Sequence, residues 1–256
     1  MLPTFAFAVS KLAQFSNRYN ETHWKAAKGV LRYLRGTTSH GITYRRRGSL
    51  ILKSYTDSDY AGDKISRKSA TAMVVTIDES PISWQSQKQP CVALSSTEAE
   101  YIAPNVDLKD VKWPRAFLSE LTFAQPEPTT VFVDNQSAIK LSKNPEMHSR
   151  TKHIDVRYHF TRNLIEQGEI SVTYIPTTEQ LADSLTKPLM KTKLVENRKE
   201  LGLHETVTPR ANVSRLSPWT VITLLLMVML SACADPLQAE VFMVLISYPS
   251  KDLEHP

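Results

Sequence analysis

Thr129-Thr130-Val131-Phe132-Val133-Asp134-Asn135-Gln136-Ser137-Ala138-Ile139-Lys140-Leu141 carries an apolar run straight into an aspartate and then into a helical pattern. The β-branched and aromatic residues 129–133 predict a strand. Asn135 or Ser137 can cap a helix, and Ala138, Ile139 and Leu141 begin its buried face. Asp134 is thereby set at the carboxyl end of a strand, where open α/β sheets hold their ligands. An aspartate there more often serves only as a turn or helix cap. The functional reading therefore needs other carboxylates in comparable positions.

The chain supplies them. Leu50-Ile51-Leu52-Lys53-Ser54-Tyr55-Thr56-Asp57 is a second strand ending in an aspartate, followed by Ser58-Asp59-Tyr60-Ala61-Gly62-Asp63. Residues 71–77 and 81–84 predict further strands, and Val92-Ala93-Leu94 the end of another, which together make an antiparallel meander. Ser95-Ser96-Thr97-Glu98-Ala99-Glu100-Tyr101 then opens a long helix. Ser95 and Glu98 have capping-box spacing, which gives Glu98 a structural role. Glu100 lies roughly 200° around the helix from Glu98 and three residues before the small Ala103, so it is the candidate to face the sheet. Thr177-Thr178-Glu179-Gln180 predicts another helix start, and Asp183 falls in the first turns that follow.

The order is thus Asp, Glu, Asp, Asp, two from strands and two from helices. Four converging carboxylates repel one another unless cations lie between them, and oxygen donors suit magnesium. Paired metals can activate an attacking water and stabilise the leaving oxygen in phosphodiester cleavage.

Charge points toward a polyanionic partner. Of 256 residues, 31 are Lys or Arg and 26 are Asp or Glu, a formal excess of +5. Residues 20–36 predict one helix, with Asn20 as N-cap, Gly36 at the stop, and Trp24, Ala27, Leu31 and Leu34 as its buried stripe. Lys25, Lys28, Arg32 and Arg35 run alongside as a row of cations, either a solvated face or a surface that tracks phosphates. A second basic segment, residues 148–160, contains Lys152 and Arg157 and continues as a helix to Gln167. Its histidines at 148, 153 and 159 share no helix face, which argues against zinc and for a basic helix near nucleic acid. Cys91 and Cys233 are too few for a disulfide framework or a zinc site, so a reducing compartment, cytoplasmic or nuclear, is expected. The apolar residues 1–9 lack the basic flank and cleavage site of a secretory signal.

Several longer words identify a family. Tyr55-Thr56-Asp57-Ser58-Asp59-Tyr60-Ala61-Gly62-Asp63, Arg67-Lys68-Ser69, Ile82-Ser83-Trp84, Ala93-Leu94-Ser95-Ser96-Thr97-Glu98-Ala99-Glu100-Tyr101, Val133-Asp134-Asn135, Arg150-Thr151-Lys152-His153-Ile154-Asp155 and Ala182-Asp183-Ser184-Leu185-Thr186-Lys187-Pro188-Leu189 closely resemble the RNase H domain at the end of Copia-type LTR retrotransposon polyproteins. The resemblance spans residues 50–203. Upstream, Ala6-Phe7-Ala8-Val9-Ser10, His23-Trp24 and Val30-Leu31-Arg32-Tyr33-Leu34-Arg35-Gly36-Thr37 resemble the end of the preceding reverse transcriptase domain, without its polymerase aspartates.

The resemblance implies an α/β, RNase H-like fold, with a mixed five-stranded sheet flanked by helices and preceded by a helical segment. It further implies cleavage of the RNA strand of an RNA/DNA hybrid with two Mg2+ ions, and a polyprotein as the wider context. Asp57, Glu100, Asp134 and Asp183 fall on the family's catalytic and metal-binding positions. The domains expected are a reverse transcriptase remnant over 1–48, the RNase H-like domain over 50–203, and an unrelated tail over 204–256. The tail's apolar run, residues 219–234, is short of the roughly 20 residues that span a bilayer, so no membrane contact is expected of it. Two departures stand out. Ala70-Thr71-Ala72-Met73 lacks a glycine usual in the family, and Pro104 and Pro114 interrupt the helix after Glu100. Proline at 104 removes the N–H that would bond the Glu100 carbonyl, so a kink, a misplaced carboxylate and impaired activity are expected. The alternative function is a non-catalytic nucleic-acid-binding remnant.

Overall fold

The computed structural model describes residues 3–44, 50–143 and 155–205. After a 3-10 turn at Pro3–Phe5 come helices α1 (Ala6–Ala13) and α2 (Glu21–Gly36) and a short strand β1 (His40–Ile42). Strands β2 (Leu52–Asp59), β3 (Ala70–Ile77) and β4 (Ser80–Lys88) precede helices α3 (Ser96–Asp107) and α4 (Lys109–Glu120). Then follow β5 (Thr129–Val133), α5 (Gln136–Lys143), α6 (Asp155–Glu166) and β6 (Ile170–Tyr174). Two 3-10 turns, Thr177–Glu179 and Leu181–Leu185, lead to α7 (Lys191–Glu200) and β7 (Leu203–Glu205). The described residues divide into two compact units, one of residues 3–7 and those between 41 and 204, the other of residues 8–40 with 205.

The larger unit is built on a five-stranded sheet of order β4-β3-β2-β5-β6. β2 pairs antiparallel with β3 and β3 with β4, whereas β5 runs parallel to both β2 and β6. The change of sense follows from the connections. The loop 60–69 joins β2 to β3 and a short turn joins β3 to β4, while helices α3 and α4 cross over to β5, and α5 and α6 to β6. The mixed five-stranded sheet flanked by helices is the RNase H-like arrangement that the sequence words imply.

Both faces of this sheet are covered, which explains why seven of the eight residues of β3 are buried. On one face Met73, Val75, Val131, Val133 and Val172 pack with Tyr101, Ile102, Leu108 and Leu118 of the helices. On the other, Ala72 and Val74 meet Ala182, Leu185, Leu201 and Leu203. Each fully buried Val or Met side chain contributes about 1.5–3 kcal/mol. The alternation along β3 therefore fixes its register, since a one-residue slip would exchange the two cores.

Four local expectations are corrected. First, α3 continues through Pro104 to Asp107 and the interruption comes at Leu108, whose N–H bonds the Pro104 carbonyl at 2.9 Å. Leu108, fully buried, separates α3 from α4 four residues beyond the proline. Second, residues 181–185 form a 3-10 turn, not the start of an α-helix, with Ala182, Asp183, Ser184 and Leu185 all buried against the sheet. Third, Val92 and Leu94 are exposed in a loop after β4, where their polar and proline neighbours offer no ladder. Fourth, α2 has the predicted Asn20 cap, but no residue of it is fully buried and Trp24 is 45% exposed. Helical spacing reveals a stripe, not whether anything covers it. Ala70, at the site of the missing glycine, fits within β3 opposite Lys88. The helix to Gln167 is realised as α6, stopped by Gly168 in the left-handed region at φ 68°.

Candidate metal centre

β2 and β5 lie side by side and pair in register as far as Tyr55↔Phe132. Beyond that pair the ladder ends, and the two strands deliver Asp57 and Asp134 to the same edge. Helix α3 packs on β2 and β3; its first turns bring Glu100 over this edge. Asp57, Glu100 and Asp134 each offer a carboxylate oxygen, and these oxygens lie within 4.8 Å of one another. Asp57 and Glu100 are buried, and Asp134 is half-buried.

Each aspartate is held by a threonine. The Thr186 hydroxyl donates to Asp57 Oδ2 at 2.6 Å, and the Thr177 hydroxyl donates to Asp134 Oδ2 at 2.8 Å. Glu100 Oε2 is buried without a hydrogen-bond partner. Asp183 sits on the 3-10 turn beside this group, buried, with its Oδ1 in contact with Lys187 Nζ. It stands outside the mutual 4.8 Å group, yet its charge acts on Asp57. Glu98 turns the other way. Its N–H donates to Ser95 Oγ at 3.1 Å, and its Oε2 accepts the Leu94 N–H at 2.8 Å. The reciprocal cap is thus offset by one residue from the standard box, whose second bond goes to the N-cap N–H.

Burial and mutual repulsion set the ionisation of the cluster. For Asp57, burial raises the pKa; the Thr186 hydrogen bond opposes this, and the charges of Asp183 and Asp134 add to it, against Lys187, with a result of about 6. Glu100 is pushed up to about 9, first by burial and then by the charges of Asp57 and Asp134, which outweigh the favourable approach of Ser58. Burial works against the Lys187 ammonium, but contact with Asp183 and the charges of Asp57 and Asp134 raise it on balance. Such a group of buried oxygens, one without a partner, is short of positive charge. A divalent cation fits that need, and an all-oxygen donor set suits Mg2+.

Sequence reading missed the supporting residues. Thr177, Thr186 and Lys187 lie inside or beside recognisable words, but no spacing rule says which side chain reaches which carboxylate. Asp59, in the same word as Asp57, serves the turn instead, and its Oδ1 accepts the Ala70 N–H at 2.6 Å. Gly62 leaves room for this carboxylate, since a Cβ there would stand 1.6 Å from Asp59 Oδ2 and force the side chain to shift.

The proposed nucleic-acid-binding residues are more scattered. Lys25, Lys28, Arg32 and Arg35 lie along α2 in the smaller compact unit, described by itself. Lys25 pairs loosely with Glu21 at 3.8 Å, Lys28 Nζ lies 5.9 Å from the centre of the Trp24 ring, and Arg32 Nε donates to the Lys28 carbonyl at 3.3 Å. Lys152 lies outside the described residues, as does the apolar run at 219–234. Arg157 falls on α6, but its side chain is outside the described part. Among the described residues, no helix is long and apolar enough to cross a membrane.

The chain has relatives among known proteins. The chain is 46% identical over 202 residues to the retrovirus-related Pol polyprotein from transposon TNT 1-94 of Nicotiana tabacum, covering 79% of this chain and 15% of that one. It is 40% identical over 201 residues to the Pol polyprotein from transposon RE1 of Arabidopsis thaliana, covering 78% and 14%. This chain is a homologue of retrovirus-related transposon Pol polyproteins. It spans about a seventh of the length of these relatives. Among solved structures, LC11-RNase H1 in complex with RNA/DNA hybrid is similar at 14% identity and a TM-score of 0.41, over 56% of this chain and 99% of that one. No protein-family model matches the chain.

Proposed function

We propose that this retroelement domain is a ribonuclease H that cuts the RNA strand of RNA/DNA hybrids by metal-assisted hydrolysis. The observation that carries the reading is the meeting of Asp57, Glu100 and Asp134 oxygens within 4.8 Å, with Glu100 Oε2 buried and unpartnered. The resemblance to Copia-type RNase H domains supplies the substrate. Asp57, Glu100, Asp134 and Asp183 would hold Mg2+, two ions in this reading, which when bound activates the attacking water and stabilises the leaving oxygen.

The chain's own groups do the rest. Thr186 and Thr177 orient the Asp57 and Asp134 carboxylates, burial keeps competing water from Glu100, and Lys187 offsets part of the negative charge at Asp183. Lys25, Lys28, Arg32 and Arg35, with Lys152 and Arg157, are proposed to contact the hybrid backbone. Residues 1–48 are read as a reverse transcriptase remnant, 50–203 as the nuclease domain and 204–256 as an unrelated tail. The remainder of a polyprotein is the proposed partner, and cytoplasm or nucleus the proposed compartment.

A second reading, an enzyme weakened by Pro104, is favoured by one observation: position 104 of α3 has no N–H to bond the Glu100 carbonyl. Incubation of the purified protein with a labelled RNA/DNA hybrid tests both readings. Cleavage of the RNA strand with Mg2+ and none with chelator supports the ribonuclease, slow cleavage accelerated by Pro104→Ala supports the weakened enzyme, and binding without cleavage under any condition refutes both.

A further inference from the structure

Two fully buried glutamines stand behind the carboxylates. Gln180 is 2% exposed and joins three elements through one amide. Its Nε2 donates to the Thr56 carbonyl on β2 at 3.0 Å and approaches the Phe132 carbonyl on β5 at 3.5 Å. Its Oε1 accepts the Ala182 N–H at 3.3 Å, at the start of the turn that bears Asp183. This amide sits where the β2–β5 ladder stops, one residue past the last pair Tyr55↔Phe132. Thr56 immediately precedes Asp57, and Phe132 lies two residues before Asp134.

Gln89, 1% exposed, serves the helix in the same way. Its Nε2 donates to the Ala99 carbonyl at 2.9 Å and to Thr71 Oγ1 on β3 at 2.8 Å. Ala99 immediately precedes Glu100. In both cases a buried amide grips the carbonyl of the residue before a cluster carboxylate, and the two glutamines together touch the mounts of all four acidic side chains. A buried amide N–H is costly unless it is bonded, so these donor bonds cannot slacken without destabilising the fold, although Gln89 Oε1 is itself buried without a partner.

We infer that Gln180 and Gln89 are positioning residues that set the spacing of the carboxylates, Gln180 for Asp57, Asp134 and Asp183, and Gln89 for Glu100. Carboxylates that repel one another spread unless their backbones are tied. The strand pair has no ladder bond left at this point to tie them. Gln180 replaces that missing rung, and Gln89 pins α3 to β3 at the turn where Glu100 projects.

The inference deepens the metal-centre reading, and its test separates the two. Gln180→Met and Gln89→Met keep the side-chain length and remove the amide. The core substitution Leu118→Ala serves as a control that lowers stability from α4. Each full chain is crystallised, titrated with Mg2+ by calorimetry, and assayed for kcat and KM on the hybrid. In Gln180→Met the Asp57 to Asp134 carboxylate separation should widen, Mg2+ affinity fall about 10-fold or more, and kcat fall with KM for hybrid unchanged. Leu118→Ala, at an equal drop in melting temperature, should leave separation and affinity as they are. Unchanged carboxylate spacing in both glutamine variants, or an equal drop in affinity in the control, would overturn the positioning role. If the parent chain binds no Mg2+ while Gln180→Met still widens the separation, the positioning role stands and the metal reading falls.

Discussion

At the level of the single residue, the cluster is defined by what each carboxylate lacks. Asp57 and Asp134 each have a threonine donor, while Glu100 Oε2 has no partner. Replacing Asp57 or Asp134 by Asn keeps the shape and hydrogen-bonding capacity but removes metal-binding charge. Hybrid cleavage by Asp57→Asn or Asp134→Asn should fall at least about 100-fold. Their metal-free melting temperatures should stay level or rise, because a repulsive charge has been removed. A variant that cuts hybrid at the parent rate would show that the cluster is not the catalytic centre. Thr186→Val is the milder case. Losing a neutral donor to a buried carboxylate costs about 1–3 kcal/mol and raises the Asp57 pKa further, so cleavage should decline most at low pH, visible as a rightward shift of the pH–rate profile.

Elements carry the next two expectations. α3 passes through Pro104 with Glu100 still beside Asp57 and Asp134, and ends only at buried Leu108. The proline's effect should therefore fall on stability more than on chemistry. An interior helical proline costs up to about 3 kcal/mol relative to alanine. Pro104→Ala should raise the melting temperature by roughly 5 °C or more while changing cleavage less than about threefold. A tenfold gain in cleavage would favour the weakened-enzyme reading. For α2, the row of exposed Lys25, Arg32 and Arg35 with half-buried Lys28 has only weak internal partners. Lys25→Gln with Arg32→Gln should weaken hybrid binding and reduce its salt slope by about 2, one for each phosphate no longer neutralised. Binding unaltered at both low and high salt would leave the row as a solvated face.

The whole molecule integrates these charges in its response to pH. Asp57 and Glu100 have folded-state pKa values raised to about 6 and about 9, so the folded chain holds more protons than the unfolded chain from about pH 4 to 9. Stability of the metal-free protein must therefore fall as pH rises through that window. Asp63 works in the opposite sense. Bonds from Ser66, Ile65 and Lys88 hold its pKa below the usual carboxylate range, and the stability this confers is lost only as pH falls below about 4. Thermal unfolding in chelator should thus show a maximum in mildly acidic solution. A fixed Mg2+ concentration of about 100 times the dissociation constant at pH 8 should add about 2.7 kcal/mol there and less at pH 5, because the cluster must lose its protons to bind the ion. A metal-free melting temperature that climbs steadily from pH 5 to 9 would contradict this charge distribution.

The sequence by itself determined the elements that local chemistry controls. The β-branched runs ending at Asp57 and Asp134, the Asn20 cap of α2, the Gly168 stop and the separation of Glu98 from Glu100 all follow from propensity, capping and helical period. These act over a few residues and are legible in one dimension. Only the tertiary structure decided which side chains meet. Gln180 reaches strands 124 and 48 residues away, and Thr186 reaches Asp57 across 129. No periodicity encodes such distances. The same holds for Trp24, whose helical spacing promised a burial that the fold leaves incomplete, and for Asp183, whose 3-10 turn reflects packing against the sheet more than any local preference for helix. Contacts between distant segments depend on how whole elements pack, and there the pattern of neighbouring residues is silent.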